Sequence, residues 1–207
     1  MRRFAALYAQ LDRTASTLAK REAIAAYLHD APPADAAWAV YVLGGGKLRR
    51  LATATELRTA AQAATGYADW LIDASYQHVG DLAEAIALLL PPGNDTLADT
   101  PLQTWMEEWL PALGKLDQPT RLAQLQMWWQ ALAPEQVFLL NKLLTGALRV
   151  GVSQRLVVQA LALWSQLPTD LIAHRLSGDW RPHATALAAL AEPDSGEEHL
   201  SDRPYPF

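Results

Sequence analysis

The 207-residue chain contains no cysteine, which excludes disulfide bonds and thiolate metal sites. It also lacks any apolar run approaching the roughly 20 residues that a membrane-spanning helix needs. A secretory signal peptide is excluded because Gln10, Asp12 and Arg13 interrupt the apolar stretch that follows the charged N-terminus. These absences are typical of a protein of the reducing cytoplasm, and we expect that location.

A strand pattern is missing as well, because no segment shows sustained alternation of apolar and polar residues. Apolar residues instead recur at helical spacing, for example at Phe4, Leu7, Tyr8 and Leu11. Glycines and prolines cut the chain into about a dozen such segments. The sequence therefore predicts an all-α protein of about twelve helices in a compact two-lobed bundle.

The same glycines and prolines predict the domain organisation. Residues 1–191 are expected to form one helical domain, and 91–101, rich in proline, is the best candidate for a boundary between its two lobes. Residues 192–207 are polar, acidic and proline-bearing, and they are expected to be a linker that leads out of the domain.

The net charge of −5 argues against nucleic-acid binding when it is taken alone. The distribution of the charged residues weakens this objection, because residues 36–55 and 136–169 contain no acidic residue. A local basic patch, and not the total charge, steers a polyanion. The cations of these two stretches are Lys47, Arg49, Arg50, Lys142, Arg149 and Arg155.

The most informative segment is 140–161, which has the pattern of a helix, a glycine stop, a short link and a second helix. Gly146 can take the left-handed conformation that ends a helix, and Ser153 can cap the next one. Arg149 lies between Gly146 and Gly151, where the backbone is free of side-chain bulk. Such a bend can present N–H groups and a guanidinium to a phosphate backbone. The alternative is an ordinary interhelix turn with its caps.

Two other bends are similar in kind. One helix is expected to end at Gly80 and the next to begin at Asp81, so any contact with a polyanion there would come from the backbone or from His78. The second bend, 44–46, is three glycines followed by Lys47, Arg49 and Arg50, and it lacks the spacing of a phosphate-binding P-loop. The alternative for the bend at Gly80 is a structural turn, and the alternative for the bend at 44–46 is a solvated basic loop.

Catalytic and metal sites are not expected in this chain. No histidines have metal-ligand spacing, and no Ser/His/Asp grouping stands out. The segment 115–118 begins as Lys115-Leu116-Asp117, but Gln118 stands where a nucleotidyltransferase Lys-x-Asp-Gly motif has glycine. We interpret it as an interhelix turn.

Three stretches together resemble the helical N-terminal DNA-binding domain of ATP-dependent DNA ligases, in particular the multidomain bacterial type. They are 4–20 with Phe4-Ala5-Ala6-Leu7-Tyr8, 76–86 with Val79-Gly80-Asp81-Leu82-Ala83, and 140–161 with Leu148-Arg149-Val150-Gly151-Val152. Residues 201–207 resemble the linker into the adenylation domain. The resemblance covers essentially the whole chain, and the Lys-x-Asp-Gly motif of the adenylation domain is absent from it.

The resemblance implies sequence-independent binding of duplex and nicked DNA, with the adenylation and OB-fold domains of the same polypeptide as partners. It implies that ATP and Mg²⁺ serve the parent enzyme and that this chain has no cofactor and no catalytic residue. It also implies a monomeric bacterial protein associated with the nucleoid and active in DNA replication, repair and recombination. The DNA contacts that it implies are Lys142, Thr145, Gly146, Arg149, Gly151, Ser153, Gln154 and Arg155, and less directly Lys47, Arg49, Arg50, His78 and Gly80.

Two other interpretations remain open. A helical protein-interaction module without nucleic-acid binding would suit the acidic composition and the eight tryptophans. A free-standing nucleotidyltransferase would use Lys115.

Overall fold

The computed structural model describes residues 1–177 and 180–192, so residues 193–207 of the expected linker lie outside the described part. Twelve helices and no strand occur in these residues, which confirms the all-α prediction. The helices are α1 (Arg2–Arg13), α2 (Thr17–Asp30), α3 (Pro33–Leu43), α4 (Ala54–Thr65), α5 (Asp69–Val79), α6 (Leu82–Leu89), α7 (Leu102–Thr104, Trp105–Trp109 and Leu110–Leu113), α8 (Gln118–Gln130), α9 (Pro134–Thr145), α10 (Gln154–Ser165), α11 (Thr169–Leu176) and α12 (Ala184–Ala191).

In the described residues, a few pairs of helices make the main packing contacts. The most extensive contact joins α2 to α10, and α9 packs against both α1 and α6. Helices α3 and α12 form another close pair, and α4 lies against α8. The two helices that flank the 146–153 bend, α9 and α10, are therefore each held by a partner from the N-terminal half of the chain.

Local sequence signals set many of the helix ends. Thr53 and Glu56 form the reciprocal capping box at the start of α4. Helix α7 is an exception. The sequence predicts Thr100 as its cap, since Thr100 precedes Pro101 and the apolar face that begins at Leu102, but Thr100 does not bond to the helix. Its first N–H groups, those of Leu102 and Gln103, instead donate to the buried carboxylate of Asp35 at 3.0 and 2.9 Å. A side chain of α3 thus satisfies the donors that a local cap would otherwise take.

The middle of α7, Trp105–Trp109, is a turn of π-helix. The Leu110 N–H bonds to the Trp105 carbonyl, five residues back, and Pro111 has no N–H with which to continue the ladder. The indoles of Trp105, Trp109 and Trp128 pack together there, with the Trp105 ring 4.7 and 4.9 Å from the other two. Trp105 and Trp128 are buried in the core, and Trp109 packs against it.

A buried polar connection fixes α9 against its neighbours. The indole N–H of Trp129 donates to the Asn141 side-chain oxygen at 2.9 Å, and the Asn141 amide in turn donates to the Ala83 carbonyl at 3.4 Å. Asn141 has no exposed surface. The link joins α8, α9 and α6, and it thereby sets the relative position of the bends at Gly146 and Gly80.

The 91–101 segment packs against the end of α8 and the start of α9. The Leu97 N–H donates to the Ala131 carbonyl at 3.0 Å, and the Gln136 side chain donates to the Ala98 carbonyl at 2.9 Å. The lobe boundary that we placed there stays a prediction. In the described part of the chain no single helix is long and apolar enough to cross a membrane, although α10 and α11, bent by 119°, meet the same test jointly.

Candidate nucleic-acid interface

The bend between α9 and α10 has the predicted construction. Gly146 ends α9 in the left-handed region with φ of 67°, and the Ala147 N–H bonds to the Lys142 carbonyl at 3.1 Å. Ser153 caps α10 by accepting a hydrogen bond from the Leu156 N–H at 3.2 Å. Gly151 also has positive φ, 59°. We call residues 146–153 the first bend.

Lys20 of α2 contacts the buried side of the first bend. It lies in the first of the three resembling stretches but was not among the predicted DNA contacts. Lys20 is 6% exposed, and its ammonium donates to the carbonyl oxygens of Val150 and, at 3.2 Å, Gly151. In a planar trans peptide unit the N–H points away from the C=O. The N–H groups of Gly151 and Val152 therefore face away from Lys20.

These outward N–H groups are available to a ligand. Among the described residues, no protein group accepts a hydrogen bond from the Gly151 or Val152 N–H. Gly151 is exposed, and so are Arg149 and Arg155, whose guanidinium groups form no ion pair within that part of the chain. Successive free amides beside unpaired cations form a concave site suited to an anion.

The cationic segment 47–50 lies directly beside the first bend. The N–H groups of Leu51 and Ala52 both donate to the Leu144 carbonyl, at 2.8 and 3.1 Å, and so attach the segment to the end of α9. The Leu48 carbonyl oxygen lies 3.6 Å from the position that a Cβ on Gly146 would occupy. Lys47, Arg49 and Arg50 are exposed here, and Leu48 is half-buried.

The three predicted regions meet at one cleft of about 260 Å³, which we call the central cleft. Arg50 contributes from the cationic segment, and Gly80 contributes from the bend between α5 and α6. Gly80 has φ of 82° and ends α5 as predicted. Lys142 and Thr145 contribute from the first bend's helix. The sequence indicated each region separately, whereas their meeting depends on the packing of α6 against α9.

Lys142 differs from the free cation that the sequence suggested. It is 9% exposed, its ammonium pairs with the Asp81 carboxylate, and it lies 5.4 Å from the centre of the Phe138 ring. Asp81 also caps α6, accepting from the N–H groups of Ala83 and Glu84 at 2.9 and 3.2 Å. Among the described residues Asp81 is the one carboxylate in the lining of the central cleft, and Lys142 neutralises it.

Two other side chains of the central cleft have partners of their own. The Thr145 hydroxyl donates to the Asn141 carbonyl at 2.9 Å, which leaves its oxygen able to accept. Arg58, which the sequence analysis did not select, pairs with Asp73 at 2.8 Å and lies over the Tyr76 ring at 5.4 Å. Arg58 thus adds a half-buried guanidinium to the lining.

His78 is not brought together with the other predicted residues. It is exposed, but it lines a separate apolar groove with Ala74 and Leu88, on another face of α5. Gln154, at the start of α10, lines a third cleft, which it shares with the glycines 44–46.

The segment 115–118 is an interhelix turn, as predicted. Lys115 is exposed in the turn, and Asp117 caps α8 by accepting from the Thr120 N–H at 2.9 Å. Hydrogen bonds from Thr120 hold the pKa of Asp117 below its ordinary value. Within the described ranges, no cluster of three or more His, Asp or Glu residues could hold a metal ion.

The fold and the site together define an all-helical domain that presents a cationic, glycine-bearing surface on the bends between its helices. The family model described as "DNA ligase N terminus" matches residues 1–162, which include all three bends. The chain belongs to this family and is an N-terminal domain of an ATP-dependent DNA ligase. A search of curated proteins found no match.

Proposed function

We propose that this domain binds duplex DNA without sequence preference and holds a nick in place for a catalytic domain of the same ligase. The observation that carries the proposal is the first bend, where Lys20 turns two carbonyl groups inward and leaves the Gly151 and Val152 amides facing out beside Arg149. Main-chain amides and guanidinium groups suit phosphate oxygens, which carry no base identity.

The arrangement of charge supports the same function. The cationic segment lies against the first bend, and Lys142 neutralises the one carboxylate that the described part of the chain contributes to the central cleft. A polyanion that approaches this face therefore meets the unpaired cations Lys47, Arg49, Arg50 and Arg149, although the chain carries a net charge of −5. In this proposal Lys142 and Thr145 shape the central cleft, and the exposed N-terminal turn of α10 with Ser153, Gln154 and Arg155 extends the contact surface.

The domain itself contributes binding and not chemistry in this proposal. The chain has no Lys-x-Asp-Gly sequence, so the covalent nucleotide transfer with ATP and Mg²⁺ would belong to an adenylation domain, with an OB-fold domain as the other partner. We expect the domain to be a monomer without a cofactor, and to act in the joining of nicks during replication, repair and recombination.

A salt titration tests the proposal directly. We expect the logarithm of the binding constant for nicked duplex to fall linearly with the logarithm of the salt concentration, by about 0.9 for each phosphate neutralised. Intact duplex should show a similar slope if the contacts are to phosphates. Binding that is absent, or that shows no salt dependence, would contradict DNA binding and favour a protein-interaction module. A covalent AMP adduct formed with ATP and Mg²⁺ would contradict the non-catalytic assignment.

Arg149→Ala tests the site. The side chain is exposed and unpaired, so we expect the thermal midpoint to stay nearly unchanged while duplex affinity falls and the salt slope decreases by about 0.9. Arg2→Ala is the matched control, because Arg2 is an exposed arginine paired with Asp95 and Asp99, and it lies outside the lining of the central cleft.

A further inference from the structure

A second cleft, of about 530 Å³, also borders the cationic segment, and we call it the arginine cleft. Three guanidinium groups line it, from Arg49, Arg50 and Arg121, together with the polar side chains Thr53, Thr55 and Gln118. Arg121 carries no signal in the sequence, because it lies within a helix and far along the chain from the other two arginines.

The arginine cleft carries an excess of positive charge. Glu56 is its one acidic lining residue, and that carboxylate already accepts hydrogen bonds from the Thr53 N–H at 2.8 Å, the Thr53 hydroxyl at 3.0 Å and the Arg121 guanidinium. Arg49 and Arg50 are exposed and have no ion-pair partner in the described part of the chain. Two of the three guanidinium charges are therefore uncompensated.

The guanidinium of Arg121 is fixed and incompletely satisfied. Glu56 holds one end, and the Leu116 carbonyl accepts from Nη1 at 3.3 Å. Its Nε is buried and has no hydrogen-bond partner among the described residues. A buried donor without a partner costs free energy, so the Arg121 guanidinium keeps unused hydrogen-bonding capacity beside the cleft.

Two helices also begin at this cleft. Thr55 lies in the first turn of α4, and Gln118 lies in the first turn of α8. Helix N-termini carry partial positive charge, which the capping carboxylates of Glu56 and Asp117 partly offset at these two helices. The lining hydroxyl of Thr55 forms no hydrogen bond of its own in the described part of the chain, so it remains free to donate.

We propose that the arginine cleft is a phosphate-binding site that takes a backbone phosphodiester of the bound DNA, beyond the phosphates held at the first bend. Arg50 lines both the central cleft and the arginine cleft, so one strand can pass from the first to the second across this side chain. The inference rests on the proposed DNA binding, and it adds a second group of contacts that includes Arg121, Thr53, Thr55 and Gln118.

Arg49→Ala tests this site, because Arg49 is exposed and lines the arginine cleft but not the central cleft. We expect the affinity for nicked duplex to fall roughly tenfold at low salt and the salt slope to decrease by about 0.9, as for one lost phosphate contact. Thr55→Val removes a hydroxyl and no charge, so it should lower affinity by about fivefold and leave the slope unchanged. Arg2→Ala again controls for the loss of one surface charge.

The double variant Arg49→Ala/Arg149→Ala separates the two sites. If they hold different phosphates, the losses in binding free energy should add and the slope should fall by about twice 0.9. If Arg49→Ala and Thr55→Val both match Arg2→Ala while Arg149→Ala still weakens binding, the arginine cleft is not a DNA site and the proposed function stands. If the unmodified domain itself shows no salt-dependent binding, the proposed function fails as well.

Inorganic phosphate identifies the source of the ligand. We expect it to compete with duplex only at millimolar concentrations, because a single phosphate lacks the neighbouring contacts. Tight binding of inorganic phosphate that Arg49→Ala abolishes, with duplex affinity unchanged, would mean that the cleft serves a free anion and would overturn the assignment to DNA.

Discussion

The ammonium of Lys20 lies beneath Gly151 and donates to its carbonyl oxygen at 3.2 Å, so a buried side chain of α2 sets the direction of the amides that follow. Lys20→Met would leave the Val150 and Gly151 carbonyls without this donor. We expect the free energy of unfolding to fall by about 1–3 kcal/mol and duplex affinity to fall severalfold. The salt slope should stay unchanged, because Lys20 touches no phosphate. Urea unfolding and salt titration measure both, and a slope lowered by about 0.9 would show that Lys20 itself contacts DNA.

The two glycines of the first bend give a matched pair of variants. Gly146→Ala and Gly151→Ala should each cost about 1–2 kcal/mol, because both positions have positive φ. A Cβ at Gly146 makes only an ordinary contact with Leu48, whereas one at Gly151 would lie 2.9 Å from the Lys20 nitrogen. We therefore expect Gly151→Ala to weaken DNA binding more than Gly146→Ala does. Equal losses of DNA affinity in the two variants would contradict the proposed role of the Gly151 and Val152 amides in DNA binding.

The ion pair of Lys142 with Asp81 predicts a rescue. Lys142→Met should weaken DNA binding, because it leaves the Asp81 carboxylate uncompensated at the central cleft. Adding Asp81→Asn should restore most of the affinity, since asparagine still caps α6 and carries no charge. Fluorescence anisotropy with nicked duplex would compare the two single variants and the double variant. If the double variant binds no better than Lys142→Met, then Lys142 acts as a direct DNA contact.

Glu56 gives the domain an acid-sensitive contribution to stability. Its pKa is lowered, first by the hydrogen bond from the Thr53 N–H and further by Arg121, while burial opposes the shift. A group with a lowered folded pKa stabilises above its unfolded pKa of about 4.3, and that stabilisation is lost as the pH falls through the folded pKa. Glu56→Gln should reduce the free energy of unfolding by about 1–2 kcal/mol at neutral pH. Urea unfolding at several pH values should show this difference shrinking in acid, whereas a constant difference would contradict the assignment.

Features with local signals were predictable from the sequence. Thr53 with Glu56, Ser153 and the glycines 66, 80 and 146 act through residues within four positions along the chain, so their patterns can be recognised without the fold. The exposed Arg149 belongs with them, because it is the one charged residue in the link between Gly146 and Gly151.

Features that depend on packing were not predictable. Asp35 caps a helix 67 residues away, where the sequence suggested Thr100. Lys20 lies on a helical face that looks ordinary until α2 meets α10. Lys142 has the sequence surroundings of a surface cation, and only the position of Asp81 on α6 shows that it is paired. His78 was grouped with Gly80 by proximity along the chain, yet helix geometry turns it to another face.

The bonds from Leu51 and Ala52 to the Leu144 carbonyl involve main-chain atoms only. Any amino acid except proline at these two positions could supply the same donors, and none of the side chains at 47, 49 and 50 takes part. The number of positive charges on the cationic segment can therefore change by substitution while the segment stays attached to the end of α9. Such substitutions would raise or lower the affinity of the domain for a polyanion while the packing of its core stays the same.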